Sequence, residues 1–145
     1  MFELEYRPAM GTDAPEIFRL CKALIDAYED VASIDYDRVI AWVEEKIRSR
    51  ITDYTCIYDA GEKVGYYKLT QEADSWEMDD FYILPDYRGR GIGTQVLQHC
   101  LHQADGAVYL YVFRKNLDAI RLYQRFGFVI FKKVSDTRVI MRRDG

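Results

Sequence analysis

One stretch constrains the chain more than any other: Phe81-Tyr82-Ile83-Leu84-Pro85-Asp86-Tyr87-Arg88-Gly89-Arg90-Gly91-Ile92-Gly93-Thr94. An apolar, aromatic run stops at a proline, a basic glycine-rich turn follows, and residues 94–101 read as a helix. A strand, a glycine turn and a helix N-terminus together make an anion site. Glycines let backbone amides converge without Cβ obstruction, and the helix dipole favours negative charge there. Arg88 and Arg90 add formal charge at the same point. A phosphate group is the expected ligand.

The rest of the composition narrows the setting. At 145 residues the chain is expected to form one domain, 1–145, large enough to bury a core. Its formal net charge of −4 argues against non-specific nucleic-acid binding, which needs a strong positive field. Cys21, Cys56 and Cys100 show neither CxxC nor metal-ligand spacing and sit in apolar contexts. Buried free thiols are expected, with no metal and a reducing compartment. The N-terminus lacks the pattern of a signal peptide, and no apolar run approaches the roughly 20 residues needed to span a bilayer. A cytoplasmic protein without a membrane segment is therefore expected.

Read in order, residues 3–7 alternate as a short strand. Asp13, Pro15 and Glu16 form a helix start with capping-box spacing, and Ile17, Leu20, Cys21, Leu24 and Tyr28 recur at helical period. This predicts a helix over 14–28. A second helix over 37–50 carries Val39, Trp42, Val43 and Ile47 on its stripe. Between them lie five acids, Asp26, Glu29, Asp30, Asp35 and Asp37, which suit either a solvated loop or a cation-attracting rim. Strands are predicted over 53–58, 63–72 and 76–84, joined by polar turns into a meander. A helix over 91–102, a strand over 107–113, a helix over 116–126 ended by Gly127, and a hairpin of 128–134 with 138–142 follow. The order β-α-α-β-β-β-α-β-α-β-β predicts an α/β fold with a mixed, largely antiparallel sheet flanked by helices.

The glycine turn fails the patterns of commoner phosphate loops. A P-loop needs Lys before its Ser or Thr, and here Gly93 precedes Thr94 directly. A dinucleotide fingerprint needs GxGxxG near the start of a βαβ unit, whereas Gly89, Gly91 and Gly93 are spaced by two. The pattern Arg88-x-x-Gly91-x-Gly93 after Leu84-Pro85-Asp86-Tyr87 instead resembles the acetyl-CoA loop of the GNAT superfamily of N-acetyltransferases. A second segment, Val108-Tyr109-Leu110-Tyr111-Val112 followed by Asn116-x-x-Ala119-x-x-Leu122-Tyr123-Gln124-Arg125-Phe126-Gly127-Phe128, is similar to that family's fifth strand and next helix.

This resemblance implies acetyl-CoA as donor and an amine, neutral or cationic, as acceptor in a ternary complex. It implies that the amides of Arg88, Gly89, Arg90, Gly91, Ile92, Gly93 and Thr94 hold the CoA pyrophosphate. Main-chain groups at Phe81, Tyr82, Ile83 and Leu84 would pair with pantetheine and place a donor near the thioester oxygen. Asn116 would reach the pantetheine arm, cap its own helix, or both. Tyr123 would protonate the departing thiolate, with helix-face packing as the plainer alternative. For the base, Glu77 resembles the family's strand glutamate; Asp79 and Asp80 remain alternatives. Alternation places Glu77 and Asp79 with Phe81 and Ile83, and Asp80 with Met78 and Tyr82. Tyr28, Tyr36 and Trp42 fall where the fold places its acceptor-binding helices. The histidines, His99 and His102, read as flanking residues on the loop helix. A catalytically silent acyl-CoA-binding regulator on the same fold is the alternative function. A homodimer through the terminal hairpin or the edge of the third strand is a further expectation.

Overall fold

The computed structural model describes residues 2–145. Strand β1 (Leu4–Pro8) and helices α1 (Ala14–Tyr28) and α2 (Tyr36–Ser49) lead into β2 (Tyr54–Asp59), β3 (Glu62–Gln71) and β4 (Ser75–Ile83). Helix α3 (Ile92–Gln103), strand β5 (Ala107–Phe113), helix α4 (Leu117–Arg125) and the hairpin β6 (Val129–Lys133) and β7 (Arg138–Arg143) follow. The expected order holds, and the expected ends fall within one residue of those observed. The strands form one sheet in the order β1-β2-β3-β4-β5-β7-β6. Only β4 and β5 run parallel. Strand β3 is interior and β1 and β6 are the edges, which corrects the expectation of a free third-strand edge. No helix of the described residues is long and apolar enough to cross a membrane.

Local chemistry accounts for the helix starts. Asp35 caps α2, its carboxylate accepting the Arg38 N–H at 3.4 Å, and Asn116 caps α4 through the Ala119 N–H at 3.4 Å. Asp13 does not cap α1 as the sequence suggests. Its carboxylate instead accepts the Met10 N–H at 2.7 Å and pairs with Lys63 at 2.5 Å, while Glu16 takes the same ammonium at 3.1 Å. A long-range ion cluster has overridden the local capping box.

The sheet has two unlike faces. One is covered by α3 and α4 around Val96, Leu97, Cys100, Leu110, Phe128 and Met141, a continuous apolar core. The other lies under α1 and α2, with Ile17, Val43 and Ile47 packed on Tyr54, Cys56 and Tyr66. All three cysteines are buried free thiols, as expected.

Strand β4 does not alternate as the sequence implies. Its register against β3 runs Thr70↔Glu77, Leu69↔Met78 and Lys68↔Asp79, then resumes at Tyr66↔Tyr82. Asp80 and Phe81 therefore oppose Tyr67 alone, and Asp80 has a left-handed φ of 50°. This is a β-bulge, and it shifts the phase of the strand. Met78, Phe81 and Ile83 all pack into the α3/α4 core, while Tyr82 packs on the α1/α2 side. Asp79 and Asp80 both reach the α1/α2 side. The expected grouping of Glu77 and Asp79 with Phe81 and Ile83 is thus corrected. An aspartate tolerates this backbone better than a β-branched residue would.

Candidate active site

Strands β4 and β5 are paired only at Ser75↔Ala107, Trp76↔Val108 and Glu77↔Tyr109. Beyond that point they separate, and a cleft of about 510 Å³ opens at the fork. Its walls come from α1, α2, Lys68 of β3, the diverging strands, α4 and Arg138 of β7. By strand alternation, the groups that face the gap are those of Phe81 and Ile83. Tyr82 faces the other way: its carbonyl oxygen lies where a Cβ on Gly65 would come within 2.4 Å. Of the four main-chain positions expected to line the thioester, Phe81 and Ile83 are turned towards the gap. Tyr82 and Leu84 are turned towards β3, the Leu84 N–H donating to the Val64 carbonyl at 2.8 Å.

The three candidate bases are held in different ways. Glu77 ends the paired part of the fork and lines the cleft; its Oε2 accepts the Tyr109 hydroxyl at 3.1 Å. Asp79 and Asp80 share the ammonium of Lys46, at 3.1 and 3.3 Å. Asp79 also accepts the Asp80 N–H at 2.9 Å, and Asp80 accepts the Tyr54 hydroxyl at 2.5 Å. Burial first, and then the neighbouring charge of Asp79, raises the Asp80 carboxyl above the ordinary carboxylate range. Lys46 is opposed by its own burial, but Asp80 and Asp79 outweigh that and raise it further. Glu77 is the only one of the three acids with no cation at ion-pair distance among the described residues.

Tyr123 lines the same cleft from α4, its ring 5.6 Å from that of Phe128. No hydrogen bond to its hydroxyl occurs among the described residues, yet the oxygen is not sealed from the surface. Burial, then the charge of Asp79, raises its ionisation well above that of a free phenol, so it carries its proton at neutral pH. Asn116 caps α4 with its oxygen and also lines the cleft, which leaves its amide nitrogen to donate.

The glycine turn has a geometry that could accept an anion. Gly89 and Gly91 have φ of 74° and 89°, and a Cβ at either would meet nothing within 4 Å. From Gly89 to Thr94 no amide finds an acceptor among the described residues; the first helical bond is Gln95 N–H to the Gly91 carbonyl at 3.1 Å. These N–H groups suit a pyrophosphate. Two positions, Arg88 and Gly93, behave differently from expectation. The Arg88 amide bonds to the Pro85 carbonyl at 3.3 Å, and its guanidinium braces the Ile83 carbonyl at 2.8 Å. The Ile92 side chain is buried. A Cβ on Gly93 would point at Ile83, Leu122 and Phe81, which is inward. Arg90 stacks over Tyr87 at 5.6 Å.

Of the expected acceptor residues, Trp42 is an exposed part of the cleft wall, 5.7 Å from the Lys46 ammonium. Tyr28 packs against Phe113 behind that wall. Tyr36 is outside it, donating to Asp26 at 2.6 Å. The acidic stretch is mostly local: Asp26 holds Lys22 and Tyr36, Asp30 holds Ser33, and Asp35 caps α2. Only Glu29 reaches the cleft, where Thr137 donates to it. His99 stacks flat on Tyr6 at 3.8 Å, away from this site. Sequence reasoning missed Lys46, Lys68 and Arg138. The signal for Lys46 was its place one turn beyond Trp42 and Val43 on the same helix.

The sequence profile of the acetyltransferase (GNAT) family matches residues 17–128, most of the chain. The chain belongs to the GNAT family. It is 28% identical over 130 residues to the peptidyl-lysine N-acetyltransferase YjaB of Salmonella typhimurium, covering 88% of this chain and 84% of that one. It is 38% identical over 86 residues to the spermine/spermidine N(1)-acetyltransferase of Bacillus subtilis; there the match takes in 50% of this chain and 56% of the enzyme. The chain thus spans little more than half the length of that polyamine relative. Among solved structures, the PaiA N-acetyltransferase of Thermoplasma acidophilum in complex with coenzyme A superposes with a TM-score of 0.72 at 19% identity, over 99% of both chains.

Proposed function

We propose that this GNAT protein transfers the acetyl group of acetyl-CoA to a primary amine held in the β4/β5 cleft. One observation carries the reading: Glu77, without an ionic partner, and Tyr123, with an unpaired protonated hydroxyl, line one cleft at the fork. The amides of Gly89 to Thr94 hold the pyrophosphate, and the Asn116 amide nitrogen donates to the pantetheine arm. The acceptor ammonium gives a proton to Glu77, directly or through water, and its nitrogen attacks the thioester carbon. A gap-facing main-chain N–H of Phe81 or Ile83 donates to the developing oxyanion, a contribution worth about 3–4 kcal/mol where such donors have been removed. Collapse of the intermediate breaks the C–S bond, and Tyr123 protonates the leaving thiolate. Asp79 and Asp80 are committed to Lys46 and shape the wall.

The test is release of free CoA thiol from acetyl-CoA across a panel of primary amines, with the acetylated product identified by mass. Glu77→Gln lowers turnover about a hundredfold at neutral pH, and less at high pH where the amine is already neutral. CoA binding without turnover on any amine would refute the enzyme reading in favour of a CoA-binding regulator. The relatives that act on polyamines and on peptidyl-lysine make those the first amines to try.

A homodimer is best supported at β6. This edge strand exposes Val129, Ile130 and Phe131 on both of its faces. Antiparallel pairing of two copies centred on Phe131 sets Val129 against Lys133 and Ile130 against Lys132, so no lysine opposes another. A sedimentation mass of one chain at high concentration would exclude it.

A further inference from the structure

Most charged side chains of the cleft are already partnered. Lys46 belongs to Asp79 and Asp80, and Glu29 accepts from Thr137 and from the Asp30 N–H. Arg138 is different. It lines the cleft from β7, its guanidinium carbon lies 5.0 Å from the Tyr111 ring centroid, and 5.8 Å from that of Phe113. Among the described residues no carboxylate comes within ion-pair distance of it, and none of its guanidinium N–H groups has an acceptor. Two rings hold the guanidinium by cation–π contact, and its N–H groups, without an acceptor among the described residues, suit a bidentate carboxylate.

The placement of Arg138 relative to Glu77 carries the argument further. Tyr109, Tyr111 and Phe113 alternate with the core residues Val108, Leu110 and Val112, so their rings form a row on the α1/α2 side of β5. Tyr109 and Tyr111 are neighbours in that row, with ring centroids 6.3 Å apart. At one end Tyr109 holds Glu77, and at the other Tyr111 and Phe113 carry Arg138. Same-face positions along a strand repeat at about 7 Å. The guanidinium lies between Tyr111 and Phe113, so an acceptor whose amine lies at Glu77 meets it one to one and a half repeats, about 7–10 Å, further on. An extended chain covers that distance in about six to nine bonds.

We propose that Arg138 anchors a carboxylate on the acceptor, and that the preferred substrates are amines bearing a carboxylate about six to nine bonds from the nucleophilic nitrogen. This rests on the acetyltransferase reading above, which supplies the amine end. It separates the protein from an enzyme built for polyamines, whose second cation would be repelled by Arg138. The carboxylate could belong to a free ω-amino acid or to a lysine at a peptide C-terminus; the recognition chemistry is the same.

The probes are 6-aminohexanoate, hexylamine and 1,6-diaminohexane, which match in length and differ at the far end. The expected kcat/KM, read by thiol release, is about 10- to 100-fold higher for 6-aminohexanoate than for hexylamine, the span of one charge-assisted contact. Arg138→Gln brings that ratio close to one, and Arg138→Glu turns it towards the diamine. A wild-type ratio at or below one, or a ratio unchanged in Arg138→Gln, overturns the proposal. Should none of the three amines release thiol, the amine end is at fault, and the wider amine panel tests it separately. Calorimetric binding of 6-aminohexanoate to the CoA-loaded protein then still decides: equal affinity, or none, in wild type and Arg138→Gln overturns the anchor. Nα-acetyl-lysine separates the two sources. Efficiency equal to 6-aminohexanoate assigns the carboxylate to a peptide end, and much poorer efficiency assigns it to a free amino acid.

Discussion

The two faces of the sheet solve different problems. The α3/α4 face is an apolar interior in which Val96, Leu97, Leu110 and Met141 are sealed without an ionic group, and it supports the anion-binding turn at its margin. The α1/α2 face is a smaller cluster interrupted by Lys46, Lys68, Asp79 and Asp80. Polar groups cost stability when buried, so a face that keeps four charged groups beside a cleft has given up packing for chemistry. The bulge at Asp80 is the device that sorts the two. It sends Met78 and Phe81 inward to one face while both aspartates turn to the other.

The largest expected effect breaks the polar face. Lys46→Met leaves Asp79 and Asp80 facing each other without a cation, and loss of one partner of such a buried cluster costs about 3–5 kcal/mol. The deficit depends on pH. Asp80 is raised in the folded chain, so its proton is held more tightly there than in the unfolded chain, and stability falls as pH rises above about 4. Removing Lys46 raises it further, so the deficit is greatest at neutral pH and shrinks towards pH 4. Urea melts across that range measure it, and a deficit independent of pH would show that Lys46 does not hold the pair.

Next in size is the seam that both faces share. Gly65 lies against β4, where a Cβ would come within 2.4 Å of the Tyr82 carbonyl oxygen and 3.2 Å of the Ile83 Cα. Backbone cannot yield as a side chain does, so Gly65→Ala is expected to cost about 3 kcal/mol. Turnover falls with it, since Ile83 presents its main chain to the gap. A thermal melt unchanged from wild type would mean that β4 moves freely there, and the fork would be less rigid than its register implies.

Much of this architecture was readable in the chain because its signals are local. Helical periods, Pro15, Gly127 and the polar turns depend on neighbours within a few residues, and the ends they predict fall within one residue of those observed. The turn at Gly89, Gly91 and Gly93 is local in the same sense. What could not be read depended on distant partners. Asp13 satisfied a capping pattern, but Lys63, fifty residues on, claimed it. Tyr36 had the composition of an acceptor residue, yet Asp26 holds it outside the cleft. The bulge left one unused clue. Strict alternation would have put Asp80 beside Met78 in the apolar core, and a core carboxylate without a partner is costly enough to argue for a break in phase. Arg138 gave no clue, because only the fold brings β7 alongside Tyr111.

The third prediction tests whether Tyr123, the one hydroxyl that reaches the cleft from the apolar side, is chemical or structural. Tyr123 comes from α4, packs on Phe128, and still reaches the cleft. Tyr123→Phe keeps the ring and removes the proton, so turnover is expected to drop about tenfold, a modest loss because a thiolate leaves readily. The Michaelis constant for acetyl-CoA changes little. A variant that turns over like wild type would return Tyr123 to the packing of its face.

The smallest effect sets two glycines of one turn against each other. Gly91 has a φ of 89°, which any other residue adopts at a cost, although nothing stands within 4 Å of its absent Cβ. Gly93 has an ordinary φ, and its Cβ would meet Ile83, Leu122 and Phe81 at 3.7 to 3.9 Å, normal packing distances. Gly91→Ala should therefore lose about 1 kcal/mol through backbone strain and weaken CoA binding as the turn relaxes. Gly93→Ala should stay within about 0.5 kcal/mol of wild type, since a methyl there fills the apolar side without strain. Paired melts and CoA titrations separate the two. If Gly93→Ala were the more damaging, the close approach of main chain to ligand would centre on Gly93, in the first turn of α3, rather than on the turn at Gly91.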